Sequence, residues 1–231
     1  MFGRIFILLF LLKCPIYSQN LSSVIVQNQL DSLEILNKLQ TLNSLIELYP
    51  SFSAAYQNRG DLYFQLGYYE NAIIDYNRAL QIDVDNPYLF YKKGLANNKI
   101  GQFNDAISDL TNAIQLKLNF HEAFLERAYA KNLTGDWNGA IQDCKYSLDI
   151  FQSCEAHFYM GFAYHKLQKY NNAVLQFDKA IESKPQNPIA YLNRGYAKFK
   201  LNDFENACED IYLASDLGYD RAIEAITEIC Q

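Results

Sequence analysis

Residues 53–86 read SAAYQNRGDLYFQLGYYENAIIDYNRALQIDVDN, and the spacing of their small residues recurs four more times along the chain. Three series of small residues repeat at intervals of 33 or 34 residues. A fixed period of this length predicts one supersecondary unit that is copied and stacked, as in a solenoid. The series are Gly60, Gly94, Ala128, Gly161 and Gly195; then Ala72, Ala106, Ala140, Ala173 and Ala207; then Ala79, Ala113, Ser147, Ala180 and Ala214.

Each copy predicts two helices joined by a short turn. In the first copy, Tyr56, Gly60 and Tyr63 share one face of a helix, because they lie four and then three residues apart. The small residues of each copy allow its two antiparallel helices to approach closely. The turn positions, which fit a left-handed helix end, are Gly67, Gly101, Gly135, Gln168 and Asn202. The aromatic residues two positions later are Tyr69, Phe103, Trp137, Tyr170 and Phe204.

This order of small and aromatic residues resembles the tetratricopeptide repeat. The resemblance covers residues 53–221 in five units: 53–86, 87–120, 121–153, 154–187 and 188–221. It implies an all-α fold, a right-handed superhelical α-solenoid of stacked antiparallel helix pairs. It also implies a non-catalytic scaffold or adaptor that binds another protein or peptide on the concave face of its first helices.

Charged residues at two positions of the repeat predict an ion pair within each unit. The seventh residue of a unit is basic where the twenty-third is acidic, and the fourth unit loses both charges together, with Met160 and Gln176. The alternative is that the two positions are solvated independently. The predicted pairs are Arg59 with Asp75, Lys93 with Asp109, Arg127 with Asp143, and Arg194 with Asp210.

The resemblance places positions 2, 5, 9, 12 and 13 of each unit on the concave face. The Lys and Asn pattern by which some family members bind a C-terminal carboxylate is absent from these positions. Instead the face is rich in aromatic side chains, which dominate many binding hot spots. We expect these rings to receive an amphipathic helix or an extended apolar peptide, unless they only hold neighbouring helices together. The candidate groove residues are Tyr88, Tyr91, Tyr129, Phe158, Phe162, Tyr196 and Phe199.

The two ends of the chain differ from the repeats. Residues 1–18 combine Arg4, a short apolar stretch and Ser18, which predicts a secretory signal peptide. We therefore expect an exported product, periplasmic or secreted, and less readily a lipoprotein anchored through Cys14, because Lys13 precedes that cysteine. Residues 19–52 predict a degenerate capping repeat, and residues 222–231 predict a C-terminal capping helix.

Charge and cysteine content narrow the possible functions. The chain has 26 acidic and 20 basic residues and no basic run, which argues against nucleic acid as a partner. Cys208 and Cys230 are candidates for a disulfide, and Cys144 with Cys154 is a second possible pair; free buried thiols are the alternative for both. No spacing of His and Cys predicts a metal site, a cofactor or a catalytic centre.

The sequence thus predicts an exported protein-binding scaffold that is not an enzyme. Two other functions remain open: a cell-envelope assembly factor, and a structural protein that associates with itself into a homo-oligomer. The sequence does not identify the partner.

Overall fold

The computed structural model describes residues 33–230, and this part of the chain consists of α-helices without a strand. Helix α1 spans residues 33–48. The other helices are α2 (Ser53–Gln65), α3 (Tyr69–Ile82), α4 (Pro87–Lys99), α5 (Phe103–Leu116), α6 (His121–Thr134), α7 (Trp137–Ile150), α8 (Cys154–Lys166), α9 (Tyr170–Ser183), α10 (Pro188–Lys200), α11 (Phe204–Asp216) and α12 (Arg221–Ile229).

The helices form a stack of five pairs that begins with α2 and α3. Each helix contacts the next one along the chain, and α4, α6, α8 and α10 also contact one another in order. The first helices therefore line one face of the stack, and the second helices form the other layer. This arrangement confirms the predicted all-α solenoid.

The five turns within the pairs have the predicted left-handed backbone. The φ angles are 81° at Gly67, 78° at Gly101, 87° at Gly135, 59° at Gln168 and 63° at Asn202. Glycine adopts this region without a steric cost, whereas Gln168 and Asn202 carry a side chain there. The helix after each turn begins at the predicted aromatic residue.

The two helices of a unit meet where the first helix lacks a side chain. A Cβ atom added to Gly161 would lie 2.8 Å from the ring of Phe177, and one added to Gly94 would lie 2.7 Å from Cγ of Leu110. The large side chain of the second helix therefore fills the space that glycine leaves.

In the third unit, the same helix–helix contact is made by a smaller side chain on the second helix. Ala128 replaces glycine there, and the residue sixteen positions later is Cys144 rather than Tyr, Leu, Phe or Ile. Ala128 and Cys144 are both fully buried in one apolar cluster. The combined volume of the two facing side chains is thus limited in every unit.

The predicted ion pairs form within the units. In the third unit, Nε and Nη2 of Arg127 donate to the two carboxylate oxygens of Asp143, at 2.9 and 2.7 Å. Because Asp143 is almost completely buried, this bidentate pair also satisfies a carboxylate that water does not reach. The four pairs are Arg59–Asp75, Lys93–Asp109, Arg127–Asp143 and Arg194–Asp210.

The same basic residues also reach the preceding second helix. Nη1 of Arg127 donates to Oγ1 of Thr111 at 2.9 Å, and Nη1 of Arg194 donates to Asp178 at 2.6 Å. Each such residue therefore joins three helices and fixes how one unit sits on the next. The inter-unit bonds are Arg59–Asn43, Lys93–Asn77, Arg127–Thr111 and Arg194–Asp178.

The fourth unit replaces this polar network. Met160 is buried in the apolar cluster of Ala128 and Cys144. Gln176, at the usual position of the acid, contacts Nδ1 of His157 through its Oε1 at 2.9 Å. Gln176 thus finds its partner on the first helix of its own unit, although the partner is not Met160.

The ends of the stack are joined to it by polar and covalent bonds. At the N-terminal end, Asn43 on α1 accepts a hydrogen bond from Nη1 of Arg59, at 2.7 Å. The predicted signal peptide and residues 19–32 lie outside the described residues. At the C-terminal end, a disulfide links Cys208 on α11 to Cys230 after α12, with the Cα atoms 5.6 Å apart. Cys144 and Cys154 are both free thiols.

The close contact at Gly161 predicts an unusual reversal in a mutant series. Gly161→Ala should lower the free energy of unfolding by about 1–3 kcal/mol, because the added Cβ overlaps the ring of Phe177. In the background Phe177→Cys, which imitates the third unit, the same change should raise stability by about 1 kcal/mol, since alanine favours the helix. Denaturant unfolding measures the free energy of unfolding of the wild type, the two single variants and the double variant. If Gly161→Ala changed this free energy in the same direction in both backgrounds, the contact with Phe177 would not explain the effect.

The disulfide predicts a stability that depends on redox conditions. Cys230→Ser should lower the free energy of unfolding by up to about 3 kcal/mol, because the unfolded chain loses a closed loop of about 22 residues. Thermal unfolding with and without reductant measures the effect. Reductant should destabilise the wild type and leave Cys230→Ser unchanged; an equal response of both proteins would refute the role given to this bond.

Candidate functional site

A cavity of about 400 Å³ opens on the face formed by the first helices. Its walls come from α6, α8 and α10, and α12 closes one end. Most of the lining is aliphatic or aromatic. The lining residues are Tyr129, Asn132, Leu133, Phe158, Tyr159, Phe162, Ile189, Leu192, Asn193, Tyr196, Tyr219, Arg221 and Glu224.

Four of the seven predicted groove residues line this cavity: Tyr129, Phe158, Phe162 and Tyr196. They come from three consecutive units, which the stacking of first helices brings side by side. Among them, Phe162 and Tyr196 contact no other ring in the described part of the chain, and Nζ of Lys166 lies 5.3 Å from the ring centroid of Phe162. Tyr196 packs against the buried cluster that includes Leu192 and Ile211, whereas Phe162 belongs to no apolar cluster among the described residues, so Phe162 is the lining ring least involved in the scaffold.

The other three predicted residues lie outside the cavity and contact rings of the scaffold. Tyr91 lies against Phe120, a residue only 3% exposed, with 4.8 Å between ring centroids. Tyr88 contacts the same ring, and its hydroxyl accepts a hydrogen bond from Lys117. Phe199 contacts Phe204 at the turn of its own unit, at 5.4 Å. These contacts give the three rings a role in holding the helices together.

Phe158 combines both roles. It lines the cavity and also contacts Phe177 on α9, with 5.8 Å between ring centroids. Because Phe177 is fully buried, removal of the Phe158 ring would disturb the core as well as the cavity. Phe158 is thus a poor choice for separating binding from stability.

Five lining residues were not among the predicted concave positions. Tyr159 and Asn193 occupy position 6 of their units, and Tyr219, Arg221 and Glu224 belong to the end of the stack. The predicted concave positions carry no signal for the last three, because these residues follow the second helix of the final unit, which ends at Asp216. Their contribution depends on how α12 folds back onto α10 and α11, where Cys230 is bonded to Cys208.

A buried asparagine lies in the wall of the cavity. Nδ2 of Asn132 donates to the main-chain carbonyl of Tyr159 on the next first helix, at 3.0 Å. Asn98 has the same position in the second unit and donates in the same way to the carbonyl of Glu126, at 3.2 Å. Burial raises the pKa of the Glu126 carboxyl, against the opposing effect of Asn98 and Lys99.

The N-terminal part of the same face carries an ion pair. Lys92 on α4 forms an ion pair with Asp61 on α2, and the hydroxyl of Tyr76 donates to Asp61 at 2.8 Å. Tyr91 and Leu95 lie beside this pair in a smaller concavity of about 290 Å³. The larger concavity of the face is therefore formed by the last three units, and the smaller one contains the ion pair.

The three histidines lie apart from one another and outside the cavity lining. His121 stacks on Phe151, His157 contacts Gln176, and His165 contacts the ring of Tyr170. Burial, with Lys166 and Lys200 nearby, lowers the pKa of His165 and keeps its ring neutral at pH 7. Residues 33–230 contain no cluster of three potential metal ligands, and none of their helices has the length and apolar character of a membrane span.

Models of protein families match the chain in its repeats. The model described as TPR repeat matches residues 60–101 and 161–202, and the model described as tetratricopeptide repeat matches residues 189–217. By sequence, no curated protein matches the chain.

Several solved structures share the fold. YrrB, described as a TPR protein with an unusual peptide-binding site, has 20% identity and a TM-score of 0.67, over 80% of this chain and 97% of that one. MamA from Desulfovibrio magneticus RS-1 has 16% identity and a TM-score of 0.68, over 71% and 94%. A tetratricopeptide repeat protein from Parabacteroides merdae has 17% identity and a TM-score of 0.66, over 88% and 93%.

At these identities the likeness concerns the fold. The matches to two repeat models agree with the five stacked helix pairs, their left-handed turns and their small-residue contacts. The chain contains tetratricopeptide repeats, matched over residues 60–101, 161–202 and 189–217, and has the fold of a tetratricopeptide repeat solenoid.

Proposed function

We propose that the chain is an exported, non-catalytic adaptor that binds an apolar segment of a partner protein in the cavity along α6, α8 and α10. The observation that carries this proposal is the cavity itself, lined by apolar side chains from three consecutive first helices. A concave apolar site with a few polar groups is a common form of binding site. YrrB, which has the same fold, is described as having a peptide-binding site, and this favours a peptide as ligand.

The chemistry of the cavity supports binding rather than catalysis. Its ionisable side chains are those of four tyrosines, including Tyr196, and those of Arg221 and Glu224. The last two lie at the end formed by α12. No histidine or cysteine lines it, and its one carboxylate, Glu224, lies at the end formed by α12 beside Arg221. An adaptor needs only shape and apolar contact here.

Affinity capture from the native exported fraction tests the adaptor function. The full chain serves as bait beside a Phe162→Ala, Ile189→Ser variant, which removes two apolar groups from the cavity wall. A captured protein should bind this variant at least tenfold more weakly, because such anchors dominate binding energy. Titration of the captured protein against each bait measures the difference.

The matched control is an Ile74→Ser, Leu175→Ala bait. Both residues are exposed apolar side chains on the second helices, away from the cavity. This control should capture as well as the wild type, and circular dichroism should show equal folding of all baits. Weaker capture by the control alone would move the interface to the second-helix layer.

Export is proposed from the signal peptide predicted for residues 1–18, and the Cys208–Cys230 disulfide fits an oxidising compartment. N-terminal sequencing of the native product should begin at Gln19. A product that begins at a lipid-modified Cys14 would support the lipoprotein alternative, and one that begins at Met1 would remove the basis for export.

Self-association is the second candidate function. The end of the stack near α1 exposes a group of apolar side chains that includes Leu48, Tyr49 and Phe52. Exposed apolar patches of this kind mark contact sites between proteins. Light scattering of the full chain distinguishes a homo-oligomer from a monomer. A captured partner found in the envelope fraction would instead favour an envelope assembly factor.

A further inference from the structure

We propose that the apolar segment bound in this cavity carries an Asp or Glu side chain, and that the carboxylate of this side chain binds at the rim of the cavity beside Lys166 and Lys200. The inference rests on the proposed function and specifies the charge of the partner segment. It is supported by the position of the two ammonium groups and by the uncharged residue that the chain places next to them.

The rim lysines, Lys166 and Lys200, border the cavity at the same level of two neighbouring first helices. Each follows a ring of the lining, Phe162 or Tyr196, by four residues and so lies one turn further along the same helix face. Nζ of Lys166 is 5.3 Å from the ring centroid of Phe162, which places this ammonium group next to the cavity wall. Burial lowers the pKa of His165, and both rim lysines lower it further, so the two charges lie near the same ring.

The rim lysines are free to bind an acidic ligand. Both side chains are exposed, and neither forms a salt bridge with a described residue. The chain has 26 acidic and 20 basic residues, so a positive rim departs from its overall charge. The lysines that do form salt bridges with carboxylates of the described chain are Lys38, Lys92, Lys93, Lys131 and Lys198.

The second unit shows a carboxylate at the corresponding place. Lys99 has the same position in its unit as the rim lysines, and Glu126 on the next first helix accepts a hydrogen bond from Nδ2 of Asn98 at 3.1 Å. Burial raises the pKa of Glu126, whereas Asn98 and Lys99 lower it, so Lys99 acts on this carboxylate. Between the fourth and fifth units, the uncharged Asn193 stands at the position of Glu126. A ligand carboxylate would therefore supply beside Lys166 the charge that the chain itself supplies beside Lys99.

The opposite rim of the face carries the opposite charge. Glu122 and Glu155 lie in the first turns of α6 and α8. Glu155 precedes Lys166 by eleven residues, which is roughly 16 Å along the helix. A carboxylate at that rim would be repelled, so the acidic residue of the segment belongs at the rim lysines. Lysine binds as a point charge on a flexible stem, and this suits the mobile carboxylate of an Asp or Glu side chain.

The test selects peptides on the full chain from a library of random dodecapeptides. Both ends of each peptide are joined to the carrier protein, so the library offers no free C-terminal carboxylate. Selected sequences should combine apolar residues with an Asp or Glu at a fixed distance from them. The tightest-binding sequence is synthesised with blocked ends, beside a copy in which this Asp or Glu is replaced by Asn or Gln.

Fluorescence anisotropy then measures the dissociation constants of both peptides. The wild type should bind the acidic peptide about fivefold more tightly than the amide copy, because exposed ion pairs make modest contributions. The double variant Lys166→Gln, Lys200→Gln should bind the two peptides equally. Asn193→Glu should also lose the preference, since its carboxylate would take the place of the ligand's beside Lys166.

Lys99→Gln is the matched control. It removes an exposed lysine from the same position of a first helix, but Lys99 already lies near Glu126 and outside the cavity. This variant should keep the fivefold preference. Circular dichroism should show equal folding of all variants.

The outcomes separate this inference from the proposed function. Selected sequences without an acid, or the same preference in the wild type and the double variant, would overturn the inference and leave the cavity as the binding site. If Phe162→Ala binds the selected peptide as tightly as the wild type, the cavity is not the site and the proposed function fails as well. Selection without any enriched sequence would count against both.

Discussion

The contact between the two helices of each unit sets the geometry on which the rest of the structure depends. Glycine on the first helix faces a large side chain on the second, and alanine on the first faces a small one. The helix axes therefore come close together. Close axes require a tight turn, and the left-handed residues at Gly67, Gly101, Gly135, Gln168 and Asn202 supply it. Once the pairs have one shape, they stack in register, and their first helices form a continuous face.

The basic residues at position 7 convert this register into specific polar bonds. Each of the four reaches an acid in its own unit and an acceptor in the preceding one, as Arg127 does with Asp143 and Thr111. Comparison of the repeats revealed the first bond, because base and acid disappear together in the fourth unit. It did not reveal the second, since the acceptors Asn43, Asn77, Thr111 and Asp178 differ in residue type. It also left Lys131 unexplained, although its Nζ adds a further bond to Asp143, at 2.8 Å.

The groove shows how far a repeat pattern can predict a site. Sequence reasoning identified which positions face the concave side, and Tyr129, Phe158, Phe162 and Tyr196 line the cavity there. It could not separate these rings from Tyr91 and Phe199, because their partners, Phe120 and Phe204, come from other parts of the repeat. It also missed Tyr219, Arg221 and Glu224, since these follow the second helix of the last unit and line the cavity through the folding of α12.

At the junction between the third and fourth units, apolar packing of Met160 replaces the polar network beside the centre of the cavity. Met160 cannot reach back as the basic residues do, and the second helix before it carries Lys145 where other units carry an acceptor. A basic side chain at position 160 would face Lys145, and the two like charges would repel each other. Met160 therefore fits beside Lys145, whereas the basic residue of the other units would not. The hydrogen bond from Asn132 to Tyr159 crosses this junction, as the bond from Asn98 to Glu126 crosses the preceding one. Asn132 thus joins the two units and also lines the cavity, which links the stacking of the repeats directly to the proposed binding of a partner.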